Sequence, residues 1–209
     1  MFSFSKKPDD LSQWRAYSNN GGGYCIEFDT NKITEIANKH KWGKAICIYN
    51  EKRQQKKLKP IIEKAITACN NIRNVELFKK YNQAIQIDKL TPAEDKELND
   101  IRMEFNLDLL KLAPKLKHET FREEAEVRMY VFLEKSKNML LKFRPGKTML
   151  IPYLNFPIAQ KGEEMPIRSI TIGPTNHPEL SKKAVRDLLM ANSMECEVTL
   201  SEIPYRDIL

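Results

Sequence analysis

Apolar and polar residues alternate most regularly between Phe121 and Leu133, in the stretch FREEAEVRMYVFL. At the two-residue period of a strand, one face is wholly apolar and consists of Ala125, Val127, Met129, Val131 and Leu133. The other face is charged at its start and aromatic at its end, and consists of Glu124, Glu126, Arg128, Tyr130 and Phe132. A wholly apolar face must be buried, so the stretch predicts a core strand, with any polar site on the opposite face.

The rest of the chain divides into short elements on either side of a long helical region. Alternation and turn residues predict strands at 2–5, 24–28, 45–49, 138–143, 148–153, 167–172 and 197–200. Short helices are predicted at 11–17, from about 30 to Gly43, and at 179–192, with Asp10 and Asp29 or Thr30 as caps for the first two. Residues 51–113 instead follow the helical period. One long amphipathic helix is predicted around residues 61–72, a further helical stretch at 77–87, and a second long helix that starts at Thr91-Pro92.

This grouping of strands and helices predicts an α+β fold with a mainly antiparallel sheet and flanking helices. Whether that sheet is continuous or split stays open at this point. The whole chain, residues 1–209, is predicted to be a single domain with a helical insert at about 51–113.

Composition and charge narrow the class of protein. The chain carries a net charge of +7, and no apolar run approaches the length of a membrane span, so a cytoplasmic globular protein is predicted. The four cysteines are scattered without a CxxC pair, and no signal peptide opens the chain, which indicates reduced thiols. The three histidines are isolated, so neither a metal site nor a catalytic triad is predicted.

The positive charge is concentrated at the front of the helical insert, at Lys52, Arg53, Lys56, Lys57 and Lys59. A charge run of this kind is usually a solvated helix face. The other interpretation is a surface that binds nucleic acid or a partner protein.

The polar residues of the central strand also allow two interpretations. Glu124, Glu126 and Arg128 can form a solvent-facing ion pair between alternate positions, or they can serve one another around a ligand. Trp14 and Tyr17 can likewise be core anchors or platforms on which a ligand stacks.

Several blocks of residues, taken together, resemble a bacterial family known as domain of unknown function 2971. The early blocks are FSFS at 2–5, DLSQWRAY at 10–17 and YCIEF at 24–28. The later blocks are K-x3-F-x2-E-x-E-x-R at 117–128, PY at 152–153, ITIGP at 170–174 and S-x-x-PYR at 201–206. Members of that family carry a further region before the serine strand, so the resemblance implies that an N-terminal part of the domain is missing here.

A serine strand, a helix with Trp or Tyr and a later E-x-E strand are together similar to ADP-ribosyltransferases. That resemblance implies NAD as substrate, Glu126 as the catalytic carboxylate and Glu124 as the residue that orients the acceptor. The ligand-binding residues that it implies are Ser3, Ser5, Trp14, Arg15, Tyr17, Arg128 and Arg206. In ADP-ribosyltransferases a strand with an arginine or histidine normally precedes the serine strand. That strand is missing here, so the resemblance does not decide whether NAD binds in this way.

Two hypotheses from different classes follow. The first is an NAD-using transferase or glycohydrolase that acts through Glu126, as a toxin or an antiphage effector. The second is a non-catalytic interaction domain whose polar motifs lock the fold and whose basic insert binds nucleic acid or a partner protein.

Overall fold

The computed structural model describes residues 1–18, 22–72, 92–132, 141–159 and 163–204. Its strands are β1 (Phe2–Ser5), β2 (Tyr24–Phe28), β3 (Gly43–Ile46), β4 (Glu126–Tyr130), β5 (Lys142–Pro145), β6 (Leu150–Tyr153), β7 (Ile167–Ile172) and β8 (Glu197–Leu200). Its α-helices are α1 (Leu11–Tyr17), α2 (Thr30–Lys39), α3 (Glu51–Ile72), α4 (Pro92–Leu112) and α5 (Pro178–Ala191), with 3₁₀-helices at Ala113–Lys115 and Glu119–Glu124. The predicted helix at 77–87, the Thr91 cap and the start of the 138–143 strand lie outside the described residues.

The chain divides into two compact units. Unit 1 consists of Met1–Lys44 and Glu123–Leu209, and unit 2 is the continuous segment Ala45–Arg122. None of the described helices combines the length and the apolar composition of a transmembrane span.

The strands form separate sheets, which confirms the predicted α+β class. One sheet has the order β1–β4–β3, a second has the order β2–β7–β8, and β5 and β6 form a hairpin. The pairs β1–β4, β2–β7 and β5–β6 are antiparallel, whereas β7 and β8 are parallel. Helix α5 connects β7 to β8, because a parallel pair needs a crossover that a tight turn cannot provide.

The central strand is shorter than predicted. Strand β4 covers only Glu126–Tyr130, so the prediction of one strand over Phe121–Leu133 is wrong. The chain forms a 3₁₀-helix over Glu119–Glu124, and Ala125 then takes a positive φ of 44°, a left-handed conformation that ends the helix and turns the chain. The Ala125 carbonyl accepts a hydrogen bond from Lys6 N at 3.1 Å, just beyond the β1–β4 ladder.

Burial along β4 extends to both of its faces. Met129, on the apolar face, is 4% exposed, but Glu126, on the polar face, is 5% exposed. Both faces of β4 are therefore covered. The predicted strand at 45–49 is also displaced, because β3 covers Gly43–Ile46.

Helix α2 packs against the first sheet. Its cap, Asp29, accepts hydrogen bonds from Asn31 N at 2.8 Å and Lys32 N at 2.9 Å, so the predicted cap is confirmed. The buried residues of this core are Ile33, Ala37 and Met129, with Phe4, Phe28, Trp42 and Ile158 partly buried around them. The core therefore joins β1, β2, β4 and α2 within unit 1.

A second core lies between α5 and the second sheet. Ile170 and Ile172 of β7 pack against Val185 and Leu189 of α5, and all four are buried. Burying side chains of this size contributes about 1.5–3 kcal/mol each. The residues named in these two cores all belong to unit 1.

In unit 2, α3 and α4 form an antiparallel helical hairpin. Lys64 Nζ of α3 lies 2.6 Å from Glu104 Oε1 and 3.4 Å from Asp108 Oδ2 of α4. This pairing places Leu58 and Leu109 at about the same level of the hairpin, since Leu58 lies six residues before Lys64 and Leu109 lies five residues after Glu104.

The Asp9 carboxylate connects the first helix to the described end of the chain. Its Oδ1 accepts hydrogen bonds from the Trp14 indole Nε1 at 2.6 Å and from Ser201 Oγ at 2.7 Å. Its Oδ2 accepts one from Glu202 N at 2.9 Å. Three donors converge on one carboxylate, which therefore holds the segment after β8 against α1.

Removing the distal part of the hairpin tests the prediction of a helical insert. We expect a chain in which residues 58–109 are replaced by a short Gly/Ser linker to stay soluble and rich in β structure, because both unit 1 cores are retained. Circular dichroism and urea unfolding measure this. Loss of a cooperative unfolding transition would show that unit 1 depends on the hairpin.

The Asp9 carboxylate can be tested by Asp9→Asn. The asparagine amide would place its own N–H group against a site where three donors already need an acceptor. We therefore expect the free energy of unfolding to fall by about 1–3 kcal/mol. The matched control is Asp10→Asn, because asparagine still caps a helix and only an i,i+3 pair with Lys7 is lost, at a cost below about 1 kcal/mol. Equal losses in the two variants, measured by urea unfolding, would contradict this account.

Candidate functional site

The register of β1 and β4 brings the predicted serine and glutamate positions together. Ser5 lies opposite Glu126 and Ser3 lies opposite Arg128 across the antiparallel pair. Opposite residues of paired strands point to the same face, so these four side chains share one polar face. The apolar residues Phe4 and Met129 belong to the other face, which packs on α2.

Glu126 and Arg128 form a two-pronged ion pair along β4. Arg128 Nε donates to Glu126 Oε1 at 2.9 Å, and Arg128 Nη2 donates to Glu126 Oε2 at 3.0 Å. Only 12% of the arginine side chain and 7% of the glutamate side chain are exposed. A guanidinium fork matches both carboxylate oxygens, so the pair holds the carboxylate in a fixed orientation.

The same face continues into an aromatic residue. A Cβ at Gly43 of β3 would lie 2.4 Å from Cζ of Tyr130, so the tyrosine ring occupies the space that a side chain there would need. Gly43 is therefore required for this approach of Tyr130 to β3. The Phe132 ring lies edge-on to Tyr130, at 5.2 Å between centroids.

Helix α1 supplies a further contact beside the strand. Tyr17 Oη donates to Glu124 Oε1 at 3.3 Å, although Glu124 precedes β4 instead of lying in it. Tyr17 is 71% exposed, and Arg15 is exposed on the same short helix. The exposed Tyr17 phenol and the Glu124 carboxylate to which it donates therefore lie at the edge of the polar face.

Helix α1 is fixed at its start by Asp10, the predicted cap. The Asp10 carboxylate accepts a hydrogen bond from Ser12 N at 3.0 Å. It also forms an ion pair with Lys7, whose Nζ lies 2.8 Å from Asp10 Oδ2. The hydrogen bond from Lys7, together with those from Ser12, holds the pKa of Asp10 below its ordinary value. A lowered folded-state pKa means that this stabilisation is present above the unfolded-state pKa and is lost as the pH falls through the folded-state pKa.

The remaining predicted site residues lie in different surroundings. Trp14 is 5% exposed, and its indole N–H donates to Asp9, so its ring is buried within unit 1. Arg206 lies outside the described residues. Within the parts of the chain that the structure describes, no group of three His, Cys, Asp or Glu residues could hold a metal ion.

Sequence reasoning missed Asp9 and the role of Ser201. Asp9 is adjacent to the recognised cap Asp10, and Ser201 opens the recognised S-x-x-PYR block, but 192 positions separate the two partners. The one signal for Asp9 was the indole N–H of Trp14, which needs a hydrogen-bond acceptor when the ring is buried.

Comparison with known proteins agrees with the family resemblance. Residues 13–129, more than half of the chain, match the family model described as "Protein of unknown function (DUF2971)". The matched span contains α1 from Gln13 onward, the E-x-E positions and Arg128, whereas the serine strand and the blocks after Met129 lie beyond it. Neither the curated proteins nor the solved structures gave a match. The chain belongs to the DUF2971 family, as its motifs predict.

Proposed function

We propose that this protein is an NAD-using enzyme, an ADP-ribosyltransferase or NAD glycohydrolase, in which Glu126 is the catalytic carboxylate. The observation that carries the proposal is the register that sets Ser5 opposite Glu126 and Ser3 opposite Arg128 on one polar face. It is the arrangement of hydroxyls beside an oriented carboxylate that the resemblance to ADP-ribosyltransferases implies.

The chemistry requires a fixed negative charge. The bond between the ribose anomeric carbon and the nicotinamide nitrogen breaks, and its electron pair leaves with nicotinamide. Positive charge develops on the ribose ring, and an oriented carboxylate stabilises it more strongly in a site of low polarity than in water. Water or an acceptor then attacks the anomeric carbon and releases a proton.

The neighbouring residues take supporting roles in this proposal. Arg128 is a positioning residue that keeps Glu126 ionised and oriented through the two-pronged pair. Glu124, bonded to Tyr17 and outside the strand, orients the acceptor. The exposed Tyr17 ring is better placed than the buried Trp14 to stack on nicotinamide.

The cellular setting belongs to the same proposal. The enzyme acts in the cytoplasm, as a toxin or an antiphage effector. The four cysteines, Cys25, Cys47, Cys69 and Cys196, are free thiols, as a reducing compartment keeps them.

A non-catalytic interaction domain is the second candidate. The observation that favours it is the exposure of all five basic residues at the start of α3, Lys52, Arg53, Lys56, Lys57 and Lys59. In that case the Glu126–Arg128 pair serves only to lock the fold.

A variant that exchanges the charges of Glu126 and Arg128 distinguishes a catalytic role of Glu126 from a purely structural one. Glu126→Gln alone is unsuitable, because it leaves a largely buried guanidinium without its carboxylate and destabilises the fold by up to about 3–5 kcal/mol. In the double variant Glu126→Arg/Arg128→Glu the ion pair is kept, but the carboxylate moves about 7 Å along the strand. We expect the unfolding free energy to recover most of the single-variant loss, while NAD turnover falls about 10³-fold or more.

Nicotinamide release and urea unfolding are measured on the wild type, the single variant and the exchanged variant. Glu126→Asp is the control that keeps the charge and shortens its reach, and it provides the activity comparison if the exchanged variant does not fold. NAD turnover that survives the exchange would contradict a catalytic Glu126. A wild type that neither binds nor cleaves NAD would leave the interaction domain as the function.

A further inference from the structure

Five cationic residues form one continuous surface on the first half of α3. This basic face consists of Lys52, Arg53, Lys56, Lys57 and Lys59, all of them exposed. At 100° per residue they fall within a sector of about 160° of the helix circumference. The seven residue steps from Lys52 to Lys59 span about 10 Å of helix, so the face presents roughly one positive charge per 2 Å. Duplex DNA carries a similar density, about one negative charge per 1.7 Å.

Among the described residues, most of this charge has no acidic partner. Lys59 lies 3.6 Å from Glu63 Oε1, one turn further along the helix. For Lys52, Lys56 and Lys57 the described residues provide no acidic partner within 4 Å. Lys64, just beyond the face, contrasts with them because it pairs with two carboxylates of α4.

The basic face is held in place by polar contacts at its base. Asn50 Oδ1 accepts a hydrogen bond from Arg53 N at 3.0 Å, which caps the helix. Gln54 Nε2 donates to Ile48 O at 2.6 Å and to Lys117 O at 2.8 Å. A pre-ordered cationic surface loses little backbone entropy on binding, which favours association.

The segment that Gln54 contacts at Lys117 continues to the aromatic residue Phe121. Lys117 Nζ lies 5.0 Å from the centroid of the Phe121 ring, and this ring is 49% exposed. An exposed aromatic ring beside a lysine is a combination that binds unpaired bases, because a base stacks on the ring while a phosphate meets the charge. A duplex keeps its bases stacked on one another and cannot use such a ring.

We infer that the basic face of α3, together with Phe121, binds single-stranded nucleic acid through its phosphates, without reading its sequence. The density of exposed positive charge fits a phosphate backbone, and the half-exposed ring selects a single strand over a duplex. The inference does not rest on the catalytic role of Glu126, since every residue that carries it belongs to unit 2.

The test is fluorescence anisotropy of the full chain with labelled oligo-dT and oligo-U of equal length, over a series of salt concentrations. For about four phosphate contacts, log K should fall with log[salt] with a slope of about −3. In Lys52→Gln/Lys56→Gln/Lys57→Gln the slope should flatten to about −1, with a loss of affinity of at least tenfold at low salt. The matched control is Lys182→Gln/Lys183→Gln/Arg186→Gln on α5, which removes the same charge from unit 1 and should bind as the wild type does.

Phe121→Ala separates the single strand from the duplex. It should weaken oligo-dT binding several-fold and leave the binding of a duplex of equal length unchanged. The inference is overturned if the wild type does not bind at low salt, if both triple variants lose affinity equally, or if the duplex binds more tightly than the single strand. Poly-glutamate that binds as tightly as oligo-dT would also overturn it. The Glu126→Arg/Arg128→Glu variant should bind oligo-dT normally, so failure of the NAD proposal leaves this inference testable.

Discussion

The pair between Glu126 and Arg128 is the interaction around which unit 1 is arranged. Two opposite charges that are each about a tenth exposed can remain inside a protein only while they face each other. That condition fixes which face of β4 is polar, and the register then fixes Ser3 and Ser5 on the same face. The opposite face is thereby left to Met129 and the core on α2.

A buried ion pair of this kind contributes more to specificity than to stability. Its removal as a whole is tolerated far better than the loss of one partner, because a single buried charge has no compensation. The pair therefore disfavours any register slip of β1 against β4, since a shift by one residue would place Phe4 opposite Glu126 or Arg128.

Local signals predicted much of the fold. Helix α1 and strands β2, β7 and β8 have the predicted bounds, because caps, turns and periodicity act over a few residues. The sharing of one face by Glu126 and Arg128 also followed from alternation alone. The bidentate contact is a short-range consequence of that alternation, since the two residues are only two positions apart.

The features that could not be predicted depend on context or on distance. Ala125 takes a left-handed backbone conformation that alanine rarely adopts, and no local signal marks it, so the strand was predicted to start too early. The burial of Glu126 depends on what covers the polar face, which alternation cannot report. Asp9 meets Ser201 only because the fold brings these two distant segments together.

The contacts of Asp9 also set an order of events during synthesis. Unit 2 is one continuous segment, and its hairpin can form once Leu112 has left the ribosome. Strand β1 and helix α1 are made before their partners, so β1 must wait for β4 and the Asp9 carboxylate must wait for Ser201. Such distant pairings are slow to close. The segment from β1 to α1 therefore leaves the ribosome well before its partners and is among the last to reach its final contacts, with Phe4 and Trp14 uncovered in the interval.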